Sequence, residues 1–134
     1  MDMLEDPDVR RLVYASVPAA PRRSADLDQI LAQARRNNGL NGVSGLLVAG
    51  ENRYVQVLEG TPEAVGHIMD VIRRDDRHTD VQVLDDTHGD ERVFGDWTMA
   101  KLPGGRDEQE VRRRLRYLLR HAPEPVKGAF AVLD

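Results

Sequence analysis

Two polar side chains in strand-like segments are the first candidates for chemistry. In Tyr54-Val55-Gln56-Val57-Leu58 the side chains alternate, so Gln56 lies on one face of a strand. In an earlier segment Leu12 and Tyr14 share a face. If Tyr14 and Gln56 both point into a core, they need partners, because an unmet buried polar group costs about 1–3 kcal/mol. A bound polar ring system would satisfy both; the alternative is that Gln56 faces solvent and Tyr14 only packs.

Three further sites carry polar or aromatic side chains for which a structural role is the simpler interpretation. Asn38 follows the first predicted helix, where asparagine commonly caps the C terminus. The segment Asp75-Asp76-Arg77-His78 is typical of a solvated turn between two elements. Trp97 and Met99, two residues apart, are predicted to share one face of a strand, where core packing is the usual role.

Metal binding and covalent catalysis have little support in the sequence. There is no cysteine, which removes thiolate nucleophiles, disulfides and cysteine zinc sites. No Gly-rich phosphate loop and no Ser/His/Asp grouping is evident. An enzyme, such as an acylphosphatase-like hydrolase or a small flavin oxidoreductase, and a plain interaction module remain as alternatives. The four histidines are isolated in sequence, with no i, i+4 pair: His67, His78, His88 and His121.

Hydrophobic periodicity predicts the elements that position these residues. The predicted strands cover residues 11–16, 43–48, 53–58, 81–87 and 97–102. Two helices begin at the N-caps Ser24 and Thr61, and the first ends at Asn37-Asn38-Gly39. Their apolar stripes are Leu27, Ile30, Leu31 and Ala34, then Val65, Ile68, Met69 and Ile72. The order β-α-β-β-α-β-β predicts an α+β, ferredoxin-like sheet with both helices on one face.

A boundary at Pro103-Gly104-Gly105 divides the chain into a domain over residues 1–103 and a C-terminal helical extension over residues 104–134. The extension holds a third amphipathic helix, predicted to end near Pro123 and Pro125. Its apolar stripe needs a surface, which is either the open sheet face or a second protomer. The stripe comprises Val111, Leu115, Leu118 and Leu119. The solvated face of the same helix is expected to carry Arg112, Arg113, Arg114, Arg116 and Arg120.

Length and charge bound the function further. A chain of 134 residues with 40% apolar and 31% charged residues predicts one globular domain. Residues 1–104 carry 12 basic and 18 acidic side chains, whereas residues 105–134 carry 7 and 5. Nucleic acid is therefore a poor default partner. The acidic N terminus has no signal sequence and no apolar run could span a membrane, so we expect a cytoplasmic protein.

Six segments, taken together and in order, resemble the BLUF family of flavin-based blue-light receptors. The similarity runs from about Val9 to Leu102. The segments are Leu12-Val13-Tyr14-Ala15-Ser16, Asn37-Asn38-Gly39, Val43-Ser44-Gly45-Leu46-Leu47, Tyr54-Val55-Gln56-Val57-Leu58-Glu59-Gly60, Asp75-Asp76-Arg77-His78 and Arg92-Val93-Phe94-Gly95-Asp96-Trp97-Thr98-Met99.

The resemblance implies a flavin site between the two helices. Tyr14 and Gln56 would form the photoactive pair, with Gln56 bridging the tyrosine hydroxyl and the flavin ring. Asn38 would bind the carbonyl–imide edge of the ring. The remaining residues that the resemblance brings to the site are Asn37 beside the ring, Asp75, Arg77 and His78 near the ring edge or ribityl chain, and Trp97 and Met99 on the last strand, where the light-dependent change is passed onward.

The resemblance also implies the mode of action. Light would drive electron and proton transfer with Tyr14 through Gln56, and the rearranged hydrogen bonds would shift the absorption to the red without turnover. FAD is the expected flavin, with FMN and riboflavin as alternatives. The segment after Gly104 is too short for an output domain, so we expect a signal through a partner protein or a change of homo-oligomer.

Overall fold

The computed structural model describes residues 8–18, 24–50, 52–75 and 78–133. It contains five strands and four helices in these ranges. The strands are β1 (Val9–Pro18), β2 (Ser44–Ala49), β3 (Tyr54–Gly60), β4 (His78–Gly89) and β5 (Ala100–Leu102). The helices are α1 (Ser24–Asn41), α2 (Pro62–Arg73), α3 (Glu108–Leu119) and α4 (Glu124–Leu133). None of these helices is long and apolar enough to cross a membrane.

The strands form one mixed sheet in the order β4-β1-β3-β2-β5. Strand β3 lies between β1 and β2 and pairs with both in antiparallel fashion, so β1 and β2 run in the same direction on either side of it. Strand β4 extends the sheet beyond β1 in antiparallel fashion, and β5 runs parallel to β2 at the other edge. This split β-α-β arrangement confirms the predicted α+β, ferredoxin-like fold.

The period of two along each central strand divides the interior into two cores. Leu12, Tyr14 and Leu58 pack against α1 and α2 on one face of the sheet. Val13 and Val57, their immediate neighbours in sequence, pack on the opposite face, where α3 and α4 lie. The sheet is therefore covered on both faces, and the outer helices of the C-terminal extension provide the second cover.

The second helix follows its predicted start closely. The side chain of Thr61 accepts a hydrogen bond from the backbone N–H of Ala64 at 3.2 Å, and Pro62 is the first helical residue. Val65, Ile68 and Met69 are buried against the sheet. Half of the flavin cleft predicted by the resemblance is therefore built by a conventional amphipathic helix.

The first helix extends beyond its predicted end. We expected a stop at Asn37-Asn38-Gly39, but α1 continues to Asn41. The side-chain N–H of Asn41 donates to the carbonyl of Asn37 at 2.7 Å, and Gly42 at φ +67° supplies the left-handed residue that ends the helix. Asn38 thus lies inside the last turns of the helix, so its predicted role as a C-cap is wrong.

The last strand is shorter than predicted, because residues 97–99 are irregular and only Ala100–Leu102 pairs with β2. Side chains of α1 donate hydrogen bonds to the backbone carbonyls that a neighbouring strand would otherwise have paired. Asn38 donates to the carbonyl of Thr98 at 2.7 Å, and Arg35 donates to that of Met99 at 3.1 Å. The prediction of a strand over residues 97–102 is correct only for its second half.

The C-terminal extension contains two helices where one was predicted. Helix α3 ends at Leu119, and Pro125 is the second residue of a further helix, α4, where a missing N–H costs nothing. Val111 and Leu118 from α3 and Val126 and Phe130 from α4 join the core on the sheet face opposite α1. Of the two surfaces considered for the predicted stripe, the open sheet face is the one that it covers.

Candidate functional site

A cavity lies between α1 and α2 on the helix side of the sheet. The space between its walls, part of which is open to solvent, is about 450 Å³. Its walls combine apolar side chains with a few amides and one carboxylate. The lining residues are Ile30, Gln33, Ala34, Asn37, Asn38, Gln56, Leu58, Ile68, Val71, Ile72, Asp75 and Met99.

Tyr14 and Gln56 are direct cross-strand partners in the centre of the sheet. Their Cα atoms are paired in the antiparallel ladder between β1 and β3, so their side chains project from the same face. That face is the one under α1 and α2. Tyr14 is 0% exposed and Gln56 is 4% exposed, and Gln56 lines the cavity. The alternative in which Gln56 faces solvent is therefore excluded.

The Tyr14 hydroxyl is the unsatisfied polar group of this site. Among the described residues it is the buried side-chain polar atom that has no hydrogen-bond partner. Burial raises the pKa of Tyr14 well above its usual value, and the nearby charge of Asp75 raises it further. Tyr14 is therefore a neutral phenol at physiological pH, with a proton to donate and no partner to receive it within the described protein.

Asn38 links the cavity wall to the segment just before β5 by a hydrogen bond. Its side chain is 1% exposed and donates to the carbonyl of Thr98 at 2.7 Å. Asn37, one residue earlier on α1, also lines the cavity. The extension of α1 to Asn41 is what turns both asparagines towards the cavity, because the helical backbone continues through them.

One residue of the segment that was predicted as a solvated turn, Asp75, lines the cavity after the end of α2. The backbone N–H of Asp75 donates to the carbonyl of Ile72 at 3.0 Å, which holds Asp75 at the end of the helix, and the residue lines the cavity. Arg77 lies outside the described residues, as does the side chain of His78, so their predicted contacts remain predictions.

Met99 and Trp97 lie on opposite faces of the sheet, although we predicted one shared strand face. Met99 is buried on the helix side and lines the cavity. Trp97 packs against the core under α3 and α4. The prediction fails because the backbone of residues 97–99 is irregular and does not follow the two-residue period of a strand.

Gln33 is a polar residue of the cavity wall that was not predicted from the sequence. Gln33 faces the cavity from α1, four residues before Asn37. Residues at i and i+4 share a helix face, so this polar pair beside the apolar stripe is a signal that the sequence does contain. Ile30 and Ala34, which were predicted as core, line the same cavity.

The fold and the cavity define a class of protein: an α+β, ferredoxin-like domain with an amide-lined cavity between its two sheet-packed helices. Residues 9–100 match the sequence profile of the BLUF family, described as sensors of blue light using FAD. The chain belongs to this family, and it is a flavin-based sensor of blue light.

Relatives and solved structures agree with this assignment. A photoactivated adenylate cyclase subunit beta from Euglena gracilis is 35% identical over 96 residues, which is 71% of this chain and 11% of that protein. The dark-state structure of BlrB, a BLUF protein, superposes with a TM-score of 0.71 at 28% identity, covering 90% of this chain and 91% of that one. The BlsA ground state gives 0.66 at 36% identity, covering 69% and 63%.

The residues in the cavity fit a flavin ring. The edge of the isoalloxazine ring presents both hydrogen-bond donors and acceptors, and amide side chains offer both kinds of group. Gln33, Asn37, Asn38 and Gln56 bring four amides to the cavity, and Ile30, Leu58 and Ile68 supply apolar walls. The unpartnered hydroxyl of Tyr14 lies under the same helices.

Proposed function

We propose that Tyr14 and Gln56 are the photoactive pair of this sensor and that its chromophore is FAD bound in the cavity between α1 and α2. The observation that carries the proposal is the buried Tyr14 hydroxyl, which has no hydrogen-bond partner among the described residues and lies beside Gln56 in the ladder. When bound, the flavin absorbs blue light and supplies a strong excited-state oxidant.

Tyr14 is the proposed donor of one electron and one proton. Its raised pKa keeps the phenol protonated in the dark, so both are available when the oxidant forms. The neighbouring carboxylate of Asp75 disfavours a phenolate without competing for the hydroxyl proton. Tyr14 is therefore a neutral phenol in the dark state, and a reversible switch needs such a defined resting state.

Gln56 is the proposed relay. Its amide carries two N–H donors and one carbonyl acceptor, so it would accept the Tyr14 proton at the carbonyl while an N–H passes a proton to the bound ring, which would take the electron. The reverse transfers would restore the neutral tyrosine. Gln56 lies in β3, which is hydrogen-bonded to β1 on one side and to β2 on the other. The rigid backbone restricts the change to the side-chain amide, and a changed hydrogen bond to the ring shifts its absorption to the red.

The other residues of the proposed site hold the ring and its tail. Asn37 and Asn38 contribute amides from α1, and Asp75 contributes a carboxylate beside the end of α2. Arg77 and His78 are proposed to contact the ribityl chain or the ring edge. FMN and riboflavin would satisfy the ring contacts equally, since these residues address the ring more than the tail.

We further propose that this chain is itself a sensor without catalytic turnover, located in the cytoplasm. The curated relatives are named as adenylate cyclase subunits, and this chain matches a small part of their length. The signal then leaves through a protein partner or a change in homo-oligomeric state. A flavin-linked enzyme and a non-photoactive interaction module remain the competing functions.

The test compares Gln56→Leu with the matched variant Gln33→Leu, since both remove one amide from the cavity wall. We expect Gln56→Leu to retain flavin and to lose the light-induced red shift, whereas Gln33→Leu retains the shift. Absorption spectra in darkness and under blue light make the measurement. A normal shift in Gln56→Leu would remove Gln56 from the relay.

A further inference from the structure

Residues 93–99, which we call the connector, form the later part of the segment between β4 and β5 and are held from two sides of the molecule. Helix α1 contacts it on the cavity side. The Asn38 side chain donates to the carbonyl of Thr98 at 2.7 Å, and Arg35 Nε donates to the carbonyl of Met99 at 3.1 Å. Asn38 also lines the cavity. The connector is therefore in contact with the cavity wall through the Asn38 hydrogen bond and through Met99, which lines the cavity itself.

Arg114 of α3 holds the connector on the opposite side. Its Nη1 donates to the carbonyl of Val93 at 2.8 Å, and its Nη2 donates to the carboxylate of Asp96 at 2.8 Å. The guanidinium also lies 5.0 Å from the centre of the Trp97 ring, a cation–π distance. A second contact joins α3 to the same ring, since Trp97 Nε1 donates to Asp107 at 3.2 Å.

Both ends of the connector are fixed to the sheet. The buried carboxylate of Glu59 accepts hydrogen bonds from the backbone N–H groups of Val93 at 2.7 Å and Phe94 at 2.8 Å. At the other end Ala100 pairs with Leu46 in the parallel ladder. Residues 95–99 lie between these two anchors and contact both Asn38 and Arg114, and the backbone N–H of Gly45 also donates to the carbonyl of Trp97 at 3.2 Å.

Arg114 differs from the other paired arginines of α3. Arg112 pairs with Glu108, and Arg113 pairs with Glu110, both within the helix itself. Arg114 also pairs with Glu110 at 2.8 Å, which fixes the guanidinium plane, and its other donors reach the connector. A planar guanidinium can make these contacts and the ring stack at once, whereas an ammonium group cannot.

We propose that Arg114 is a positioning residue that couples the hydrogen-bonding state of the flavin cavity to the docking of α3. In the dark Asn38 and Arg114 hold the connector between them. When the hydrogen bonds of the cavity rearrange, Thr98 and Trp97 shift, and the contact between Trp97 and Arg114 changes. The light-driven part rests on the proposed photochemistry of Tyr14 and Gln56.

The test uses Arg114→Gln with Arg113→Gln as the matched control, because both side chains bind Glu110 and Arg113 lies one residue away. Two readouts follow the coupling: amide hydrogen exchange of α3, and the emission of Trp97, which is the single tryptophan of the chain. Arg114→Lys keeps the charge and is expected to give an intermediate result.

In the flavin-loaded wild type and in Arg113→Gln we expect light to raise the exchange of α3 about threefold or more. In Arg114→Gln the exchange of α3 is already raised in darkness and light adds nothing, although the red shift of the flavin persists. A light response of α3 that is unchanged in Arg114→Gln would overturn the proposal. So would a wild type in which the flavin shifts and α3 does not respond.

A flavin-free arm separates this proposal from the proposed photochemistry. Asn38→Ala is combined with wild type, Arg113→Gln and Arg114→Gln, and α3 exchange and Trp97 emission are measured without flavin. We expect Asn38→Ala to loosen α3 in the first two backgrounds and to add nothing in Arg114→Gln. Equal effects in all three backgrounds would overturn the role of Arg114, whether or not the protein responds to light.

Discussion

The hydroxyl of Tyr14 makes no contribution to the stability of the described fold. It is buried, it has no hydrogen-bond partner among the described residues, and phenylalanine would fill the same space. A buried donor without a partner costs about 1–3 kcal/mol. A tyrosine at this position is therefore explained by a hydrogen bond that its hydroxyl donates to a bound molecule.

Replacing Tyr14 tests this explanation through stability. We expect flavin-free Tyr14→Phe to be as stable as wild type, or more stable by about 1 kcal/mol, in urea unfolding, because the variant removes an unmet polar group. Tyr117→Phe is the control, since its hydroxyl donates to Glu91 at 2.8 Å and its loss gives no gain. Destabilisation of Tyr14→Phe beyond about 1 kcal/mol would show that the hydroxyl has a structural partner.

The pKa of Tyr14 predicts how stability changes at alkaline pH. Burial raises this pKa well above 10, so the folded protein keeps the proton where an unfolded tyrosine releases it. Above pH 10 the folded state binds more protons than the unfolded state, and stability falls as pH rises. The pKa of Tyr117 is also raised, by its hydrogen bond to Glu91, and this contribution is common to wild type and Tyr14→Phe.

We therefore expect the free energy of unfolding to fall less steeply between about pH 10 and 11 in Tyr14→Phe than in wild type. Urea midpoints across this range make the measurement in the flavin-free protein. Tyrosinate absorption at pH 11 should also be the same in folded wild type and in folded Tyr14→Phe, because Tyr14 does not ionise there. Identical slopes in the two proteins would mean that Tyr14 titrates normally and is not desolvated.

At the scale of residues the sequence predicted that Tyr14 and Gln56 are candidates for one site, and the structure shows that both side chains project from the sheet face under α1 and α2. Alternation along β1 and β3 placed Tyr14 and Gln56 on defined faces, but which face meets the helices depends on how the sheet packs. The misplacement of Trp97 beside Met99 has a local cause. Its period-two argument requires a regular strand, and side chains from α1 replace the ladder at these residues.

At the scale of elements the buried carboxylate of Glu59 anchors the connector to β3. It is 0% exposed and accepts hydrogen bonds from two backbone N–H groups, from Ser44 at 3.3 Å and from Arg11 at 3.3 Å. No sequence pattern distinguishes this glutamate from an exposed one at the end of a strand. The contacts that bury it come from residues that are far away in the chain.

We expect Glu59→Gln to destabilise the protein by about 2–4 kcal/mol, because the amide replaces one acceptor oxygen by a donor that faces the N–H of either Val93 or Phe94. The control is Glu63→Gln in the first turn of α2, an exposed position that should change stability by less than about 0.5 kcal/mol. Urea unfolding measures both. Equal effects of the two variants would contradict the anchoring role of Glu59.

Element ends were harder to predict than element order. The N-cap at Thr61 has a local signal and was correct, since a hydroxyl and a following proline specify the start of α2. The end of α1 depends on Gly42, four residues beyond Asn38, and on the Asn41 side chain. Helix α4 was missed because Pro125 was interpreted as a stop signal, although proline is equally suited to a first turn.

At the scale of the whole molecule the sheet separates a ligand layer from a cover layer. Tyr14 and Gln56 face the cavity under α1 and α2, while Val13 and Val57 support α3 and α4 on the other side. The connector passes along the edge between the layers and touches both. A domain of this design can sense on one face and present an output on the other.

The cover layer also contributes to stability. We expect Phe130→Ala in α4 to cost about 3–5 kcal/mol, because this buried ring joins the core over the sheet. Leu40→Ala is the control, since Leu40 is 80% exposed and should change stability by less than about 0.5 kcal/mol. Thermal and urea unfolding measure both. A cost below about 1 kcal/mol for Phe130→Ala would mean that α4 is not part of the cooperative unit.

The absorption spectrum of the FAD-loaded protein, in darkness, under blue light and during recovery, is the most direct test of the proposed photochemistry. We expect a flavin band that moves slightly to the red and returns in the dark, with no such movement in Tyr14→Phe. A band that only bleaches would contradict it and favour flavin redox chemistry. Failure to bind flavin at all would contradict it too, and would leave the cavity residues as part of an ordinary core.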